Sequence, residues 1–199
     1  MSFAELHIEV FRWINDLGKH YAALDPIAVF FAEYMMYVLA AGMLVYWFTR
    51  SNQNRMMVIQ AVAAFVLAEI LGKLAGQFYF HNQPFAVLSD VHKLIEHDID
   101  NSFPSDHTIL FFSICISFLL VRKKEGWLWL AVAICVSLSR IMVGVHYQID
   151  VATGALFGWL AALVSYWAVP KLSFIKQLLS FYEKVEGRIL PAKKKSTNF

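Results

Sequence analysis

Ser102-Phe103-Pro104-Ser105-Asp106-His107 opens a charge-free run, residues 108–121 (TILFFSICISFLLV), and Ser139-Arg140-Ile141-Met142-Val143-Gly144-Val145-His146-Tyr147-Gln148-Ile149-Asp150 closes another. Between them the two stretches bring two His, two Asp, one Arg and three Ser to the ends of apolar segments. Ionisable groups at the edge of a bilayer are costly and usually have a function or a partner. Whether the chain is a membrane bundle with a polar site at its rim turns on these residues.

Composition agrees with that reading. The 199 residues are 59% hydrophobic and 16% charged, with mean hydropathy +0.54. A soluble domain averages about 45–50% apolar and about 25% charged. Here the excess falls in blocks, so we expect an all-α integral membrane helical bundle forming one domain. Five transmembrane helices are expected, at 26–48, 56–78, 105–121, 127–145 and 150–169, on the criterion of about 20 residues per crossing. Residues 2–20 place Phe3, Leu6, Ile8, Val10, Phe11, Ile14 and Leu17 mainly on one side and charges over much of the rest. That is an amphipathic N-terminal helix lying in the interface. Asp25-Pro26 then opens a helix, with the acid as cap and proline at the first position. The expected division is an interfacial helix over 1–22, a transmembrane domain over 23–170 and a cytoplasmic tail over 171–199, with Lys193–Lys195 in the tail. Residues 1–20 lack a basic leader followed by an apolar stretch, so they do not read as a signal peptide.

Net charge is +2, and no basic stripe with interleaved aromatics appears, which argues against a nucleic-acid partner. Cys115 and Cys135 fall inside apolar runs at no metal or redox spacing and read as buried free thiols. Trp127 and Trp129 read as interface anchors. Twelve of the seventeen Lys/Arg (Arg50, Arg55, Arg122–Lys124, Lys171, Lys176, Lys184, Arg188, Lys193–Lys195) fall on one side of five spans. The long connection 79–104 holds Lys93 against Asp90, Glu96, Asp98 and Asp100. The basic side is then cytoplasmic, and both polar stretches face outward.

The residue types point to phosphoryl transfer. His146 and Asp150 are four apart and share a helix face if the last span begins near His146. A carboxylate on one imidazole nitrogen sets the tautomer and raises the basicity of the other, which prepares a nucleophile or general base. The planar donor fork of Arg140 suits a phosphate. Residues 102–107 read as a helix start, with Ser102 as cap, an early proline and an acid in the first turn. Such a terminus is an anion site. Ser105 adds a hydroxyl donor, and His107 is placed to protonate a leaving oxygen. The bland alternatives are that Arg140 snorkels, that Asp106 and Asp150 are helix caps, and that His81, His92 and His97 are capped surface residues or line an entrance. The spacings of His92, His97, His107 and His146 match no familiar zinc set, so no metal and no cofactor is expected.

Pro104-Ser105-Asp106-His107 resembles the PSGH motif of the type 2 phosphatidic acid phosphatase superfamily. Ser139-Arg140 through His146 to Asp150 matches its SRxxxxxHxxxD motif in every defined position, and the likeness spans roughly residues 60–165. The resemblance implies that His146 is the nucleophile, Asp150 its orienting group and His107 the acid for the leaving group, with Ser105 and Arg140 holding phosphate oxygens. A third motif of the family, KxxxxxxRP, is degraded here. Pro84 fits, Gln83 stands for the Arg, and Gly76 stands for the Lys, with Lys73 or Lys93 as a substitute cation. Asp106 replaces the usual Gly, and Glu69, inside the second span, either pairs with Lys73 or sits protonated.

The short chain, the amphipathic start, the five spans, PSDH and Gln83-Pro84-Phe85 together look like the bacterial undecaprenyl-diphosphate phosphatases associated with bacitracin resistance. That likeness implies a polyprenyl diphosphate substrate in the bacterial cell membrane, cleaved on the outer leaflet to the monophosphate carrier lipid of cell-wall synthesis. Alternatives are a phosphatase of phosphatidylglycerol phosphate, phosphatidic acid or short prenyl diphosphates, and a lipid transporter. The last is disfavoured because no internal repeat or mid-span proline is seen.

Overall fold

The computed structural model describes residues 3–189; Lys193–Lys195 lie outside them. The helices are α1 Phe3–His20, α2 Ala22–Phe48, α3 Asn52–Phe78, the short α4 Pro84–Val87, α5 Asp106–Val121, α6 Lys123–Met142, α7 Gln148–Ala168 and α8 Ser173–Ile189. No strand occurs among the described residues.

Helices α2, α3 and α6, and the segment Gln148–Lys171 that contains α7, are long and apolar enough to cross a membrane. The remaining expected span, α5, has 16 residues. That is about 24 Å of helix, short of the roughly 30 Å of hydrocarbon. It is the hub of the bundle, packed against α3, α6 and α7. Ile109, Phe111, Cys115 and Phe118 are fully buried there. Small residues let the neighbours close in. Ala61, Ala64, Ala68 and Gly72 form a buried stripe on α3. On α7, a Cβ at Gly154 would stand 2.9 Å from Ser105 O, and one at Gly158 2.8 Å from Ser113 N. Helix α3 runs past the start of α5: Gly72 faces Pro104 and Ile109, Gly76 faces Phe103, and the helix continues to Phe78. The N-terminus of α5 is therefore recessed among longer neighbours.

Several local expectations change in three dimensions. Asp25 does not cap α2, which opens with a 3₁₀ turn at Ala22–Leu24. Its carboxylate instead meets His92 Nε2 at 3.0 Å. Ser102 is not the cap of α5, which starts at Asp106 after Ser105. Cys115 is buried as expected, but Cys135 is exposed on α6. Trp127 is exposed, whereas Trp129 packs on Phe118 and donates to Tyr46 OH at 3.2 Å.

Residues 171–199, read above as a tail, include α8. It docks at the end of the bundle away from residues 102–107. Arg55 Nη2 donates to Glu186 Oε2 at 2.6 Å, Arg50 Nε donates to the same oxygen at 3.2 Å, and Trp47 Nε1 donates to Tyr182 OH at 3.1 Å. The hydrogen bonds from Arg55 hold the Glu186 carboxyl below its ordinary range. A carboxyl with a lowered folded-state pKa stabilises the fold above its unfolded value, about 4.3, and the contribution is lost as pH falls through the folded value. We expect Glu186→Gln to lower the unfolding temperature by several degrees at neutral pH, with the gap to wild type closing below about pH 4. Turnover should stay unchanged, because α3 separates the two ends by about 40 Å of helix. Thermal unfolding in detergent across pH, with an activity assay alongside, checks both.

The long connection 79–104 is folded tightly. Gln83 Oε1 accepts from Asp100 N at 3.2 Å, and Gln83 Nε2 donates to Asp100 Oδ1. Asn101 receives N–H groups from His81 (3.3 Å) and Phe103 (3.1 Å) and donates to Gly76 O (3.1 Å). Helix α1 clamps it from outside: Arg12 donates to Ser89 O and Asp90 O, Lys19 pairs with Asp90, and Asn15 bonds both His92 N and His92 O. Asn15 also reaches Met142 O at 2.9 Å, tying α1 to the end of α6. Gly144, in the turn after α6, has φ +84, which glycine adopts without strain.

Candidate active site

The end of α3, the start of α5, the end of α6 and the start of α7 converge under the 79–104 connection. His146 lies in the α6–α7 turn, one residue before the Tyr147 cap rather than inside α7. Its Nδ1 is 2.9 Å from Ser102 O, 3.2 Å from Ser102 Oγ and 3.6 Å from Asp150 Oδ2. The carbonyl can only accept, so Nδ1 carries the proton and Nε2 keeps its lone pair. Burial holds the His146 imidazole below its ordinary pKa, against the opposing pull of Asp150. At neutral pH it is therefore uncharged and able to act as a nucleophile.

Asp150 is completely buried. Its Oδ2 accepts from Ser102 Oγ at 2.7 Å and from Tyr147 N at 2.8 Å, so it caps α7 as well as facing His146. Ser105 is also fully buried. Its N–H donates to Asp150 O at 3.2 Å and its Oγ accepts from Thr108 at 3.2 Å, leaving the Ser105 proton free to donate. Arg140 is 1% exposed. A π turn at Phe30–Tyr34 of α2 presents Ala32 O to its Nη1 at 3.2 Å, with Glu33 Oε1 at 3.8 Å, while Nε has no partner. His107 is half-buried one residue into α5. Arg140, His146 and His97 lie within electrostatic reach of it, and His146, Lys73, Asp100 and Arg140 within reach of Asp106. The structure thus gathers His146, Asp150, His107, Ser105, Arg140, Asp106 and Lys73 at one place.

Two of the degraded-motif positions gain a physical account. Gly76 lies against the 101–103 backbone: a Cβ there would be 3.0 Å from Phe103 O and 3.1 Å from Asn101 Nδ2. A side chain at 76 would press on that loop, and the nearby cation is Lys73, one turn along α3. Gln83 is buried and its amide is spent on Asp100, so it braces the loop behind the site. Glu69, Lys73 and Asp106 form one electrostatic cluster.

Three residues of the site were not singled out for it from the sequence. Ser102 clamps both His146 and Asp150. His81 Nε2 lies 2.9 Å from Asp150 Oδ1. His97 packs edge-on to His146, ring centroids 6.2 Å apart. The available signal was proximity to the motifs: Ser102 is three residues before Ser105, and His81 two before Gln83.

A family model described as the PAP2 superfamily matches residues 57–174. The chain belongs to the PAP2 superfamily. The match starts early in α3 and ends just inside α8, so it spans every element that supplies the converging residues. The chain is 63% identical over 198 residues to the "Bacitracin transport permease protein BcrC" of Bacillus licheniformis, covering 100% of this chain and 98% of that protein. It is 36% identical over 146 residues to the "Undecaprenyl-diphosphatase BcrC" of Bacillus subtilis, covering 73% and 75%. Among solved structures, Aquifex aeolicus LpxE superposes with TM-score 0.71 at 28% identity, over 81% of this chain and 94% of that one. As a PAP2 protein with these helices, the chain is a multi-pass membrane protein.

Proposed function

We propose that this PAP2 protein removes the terminal phosphate of undecaprenyl diphosphate, yielding the monophosphate carrier lipid and thereby bacitracin resistance. The observation that carries the reading is the buried, neutral His146, its Nδ1–H held by Ser102 O and its Nε2 free, beside Arg140 and His107. The undecaprenyl-diphosphatase relative supplies the substrate class.

His146 Nε2 attacks the terminal phosphorus in line, and the bond to the bridging oxygen breaks with its electron pair going to the departing monophosphate. His107, protonated once the anionic diphosphate is bound beside it, gives its proton to that oxygen. Arg140, the Ser105 hydroxyl and the first-turn N–H groups of α5 hold the three phosphoryl oxygens. Water then attacks the phosphohistidine, His107 takes its proton, and the P–N pair returns to Nε2. The steps need only these side chains, so phosphate release from undecaprenyl diphosphate should persist in EDTA. Loss of turnover on chelation, restored by a divalent ion, would refute this scheme.

The basic residues Arg50, Arg55 and Arg122 stand at the end opposite the site, which supports an outward-facing site and a cytoplasmic C-terminus. Residues 23–170 would carry the chemistry, with 1–22 lying on the outer surface. A panel of phosphatidylglycerol phosphate, phosphatidic acid and short prenyl diphosphates separates this reading from a broader lipid phosphatase; equal kcat/KM on all of them would favour the latter. One relative's name speaks of transport. Movement of labelled lipid by a His146→Gln protein would favour that reading instead.

A further inference from the structure

The two oxygens of Asp150 are treated very differently. Oδ2 accepts from Ser102 Oγ and Tyr147 N and faces His146. Oδ1 is buried without an aligned donor, and so are both ring nitrogens of His81. Yet His81 Nε2 and Asp150 Oδ1 are only 2.9 Å apart. A buried carboxylate oxygen without a donor is costly, and a small rotation of the His81 ring brings Nε2–H into line.

The ring is held among aromatic neighbours. It packs against Tyr79, Tyr147 and Phe103, with centroids 5.1, 5.4 and 6.2 Å away. The His81 backbone reaches the same group by a second route: its carbonyl accepts from Ser102 N at 2.9 Å. Ser102 in turn holds His146 through its carbonyl and Asp150 through its hydroxyl.

We propose that His81 is a positioning residue for the phosphatase reaction, donating from Nε2 to Asp150 Oδ1 so that Oδ2 stays aimed at His146. The inference rests on the phosphatase reading above. Its chemical logic is specific to the transition state. Attack leaves His146 as a cation that keeps its Nδ1–H, and Asp150 stabilises that charge only while its other oxygen is anchored. Acting through Asp150, His81 is expected to move kcat and not KM.

The test uses the full-length protein in detergent with undecaprenyl diphosphate. His81→Phe keeps a ring among the aromatics and removes the N–H; kcat should fall about tenfold or more with KM within about twofold. His81→Gln places an amide N–H at the same reach as Nε2 and should recover kcat to within about threefold of wild type. His81→Asn, a shorter amide, falls short of Oδ1 and should be as slow as the Phe variant, which keeps the test decisive if His81→Phe does not fold. Wild-type kcat in His81→Phe or His81→Asn, a loss confined to KM, or a folded His81→Gln as slow as the Phe variant would overturn the proposal. Wild-type and His146→Gln proteins in the same assay separate it from the reading beneath: turnover in the first and none in the second leaves that reading standing whatever His81 does.

Discussion

His146→Gln is expected to abolish phosphate release, a loss of about 10⁴-fold or more in kcat. Glutamine keeps the approximate size of the side chain, so the turn around 144–147 should persist. It has no lone pair able to form a P–N bond. The remaining groups, Arg140, Ser105 and the start of α5, would still bind the diphosphate, so substrate affinity should change little. Measuring turnover and lipid binding separately on the purified variant checks both halves. Normal turnover would remove His146 from the reaction. The wild-type pH profile carries a linked expectation. Burial lowers the folded-state pKa of His146, so the imidazole stays unprotonated as pH falls through the ordinary value, about 6.5. The acid limb of kcat/KM from this group should therefore lie below 6.5, and a limb above it would contradict the buried environment.

Arg140→Ala is expected to lower kcat/KM by about 10²–10³-fold, the usual cost of removing one donor to a developing oxyanion. The guanidinium is held rigidly, with Nη1 on Ala32 O and Glu33 nearby, and Nε has no partner. A buried cationic donor in that state is ready for an anion. Arg140→Lys should recover less than about tenfold, because a single ammonium cannot reproduce the fork. Vanadate, which mimics the phosphoryl transition state, should inhibit both variants more weakly in parallel with the loss of turnover. Equal vanadate inhibition of wild type and Arg140→Ala would show that the guanidinium serves the fold alone.

Much of the site was legible because its parts are local. The four-residue spacing of His146 and Asp150, Arg140 at the end of an apolar run, and Pro104 through His107 at the start of another are all readable from periodicity and chemistry. The helical bundle was legible for the same reason: apolar runs of bilayer length have few other fates. What escaped depended on contacts between distant segments. Ser102 looked like a helix cap, yet it clamps a histidine 44 positions away. Helix α8 is not conspicuous in the sequence because it mixes charged and apolar residues, and its anchor is an ion pair between Arg55 and Glu186, 131 positions apart. Trp129 turned inward because Tyr46 and Phe118 offered partners that a single helix cannot reveal.

The amino-acid order alone determined which segments are apolar enough to enter the membrane and which side chains are candidates for phosphate chemistry. Helix formation and burial are set by short-range spacing, and reactive groups at the ends of apolar runs are conspicuous there. The tertiary structure decided which carboxylate oxygen faces which imidazole, that Gly76 lies tight against the 101–103 loop, and that His81 stands at Asp150. These depend on helices α3, α5 and α7 closing to within van der Waals contact, a distance that no spacing along one chain encodes.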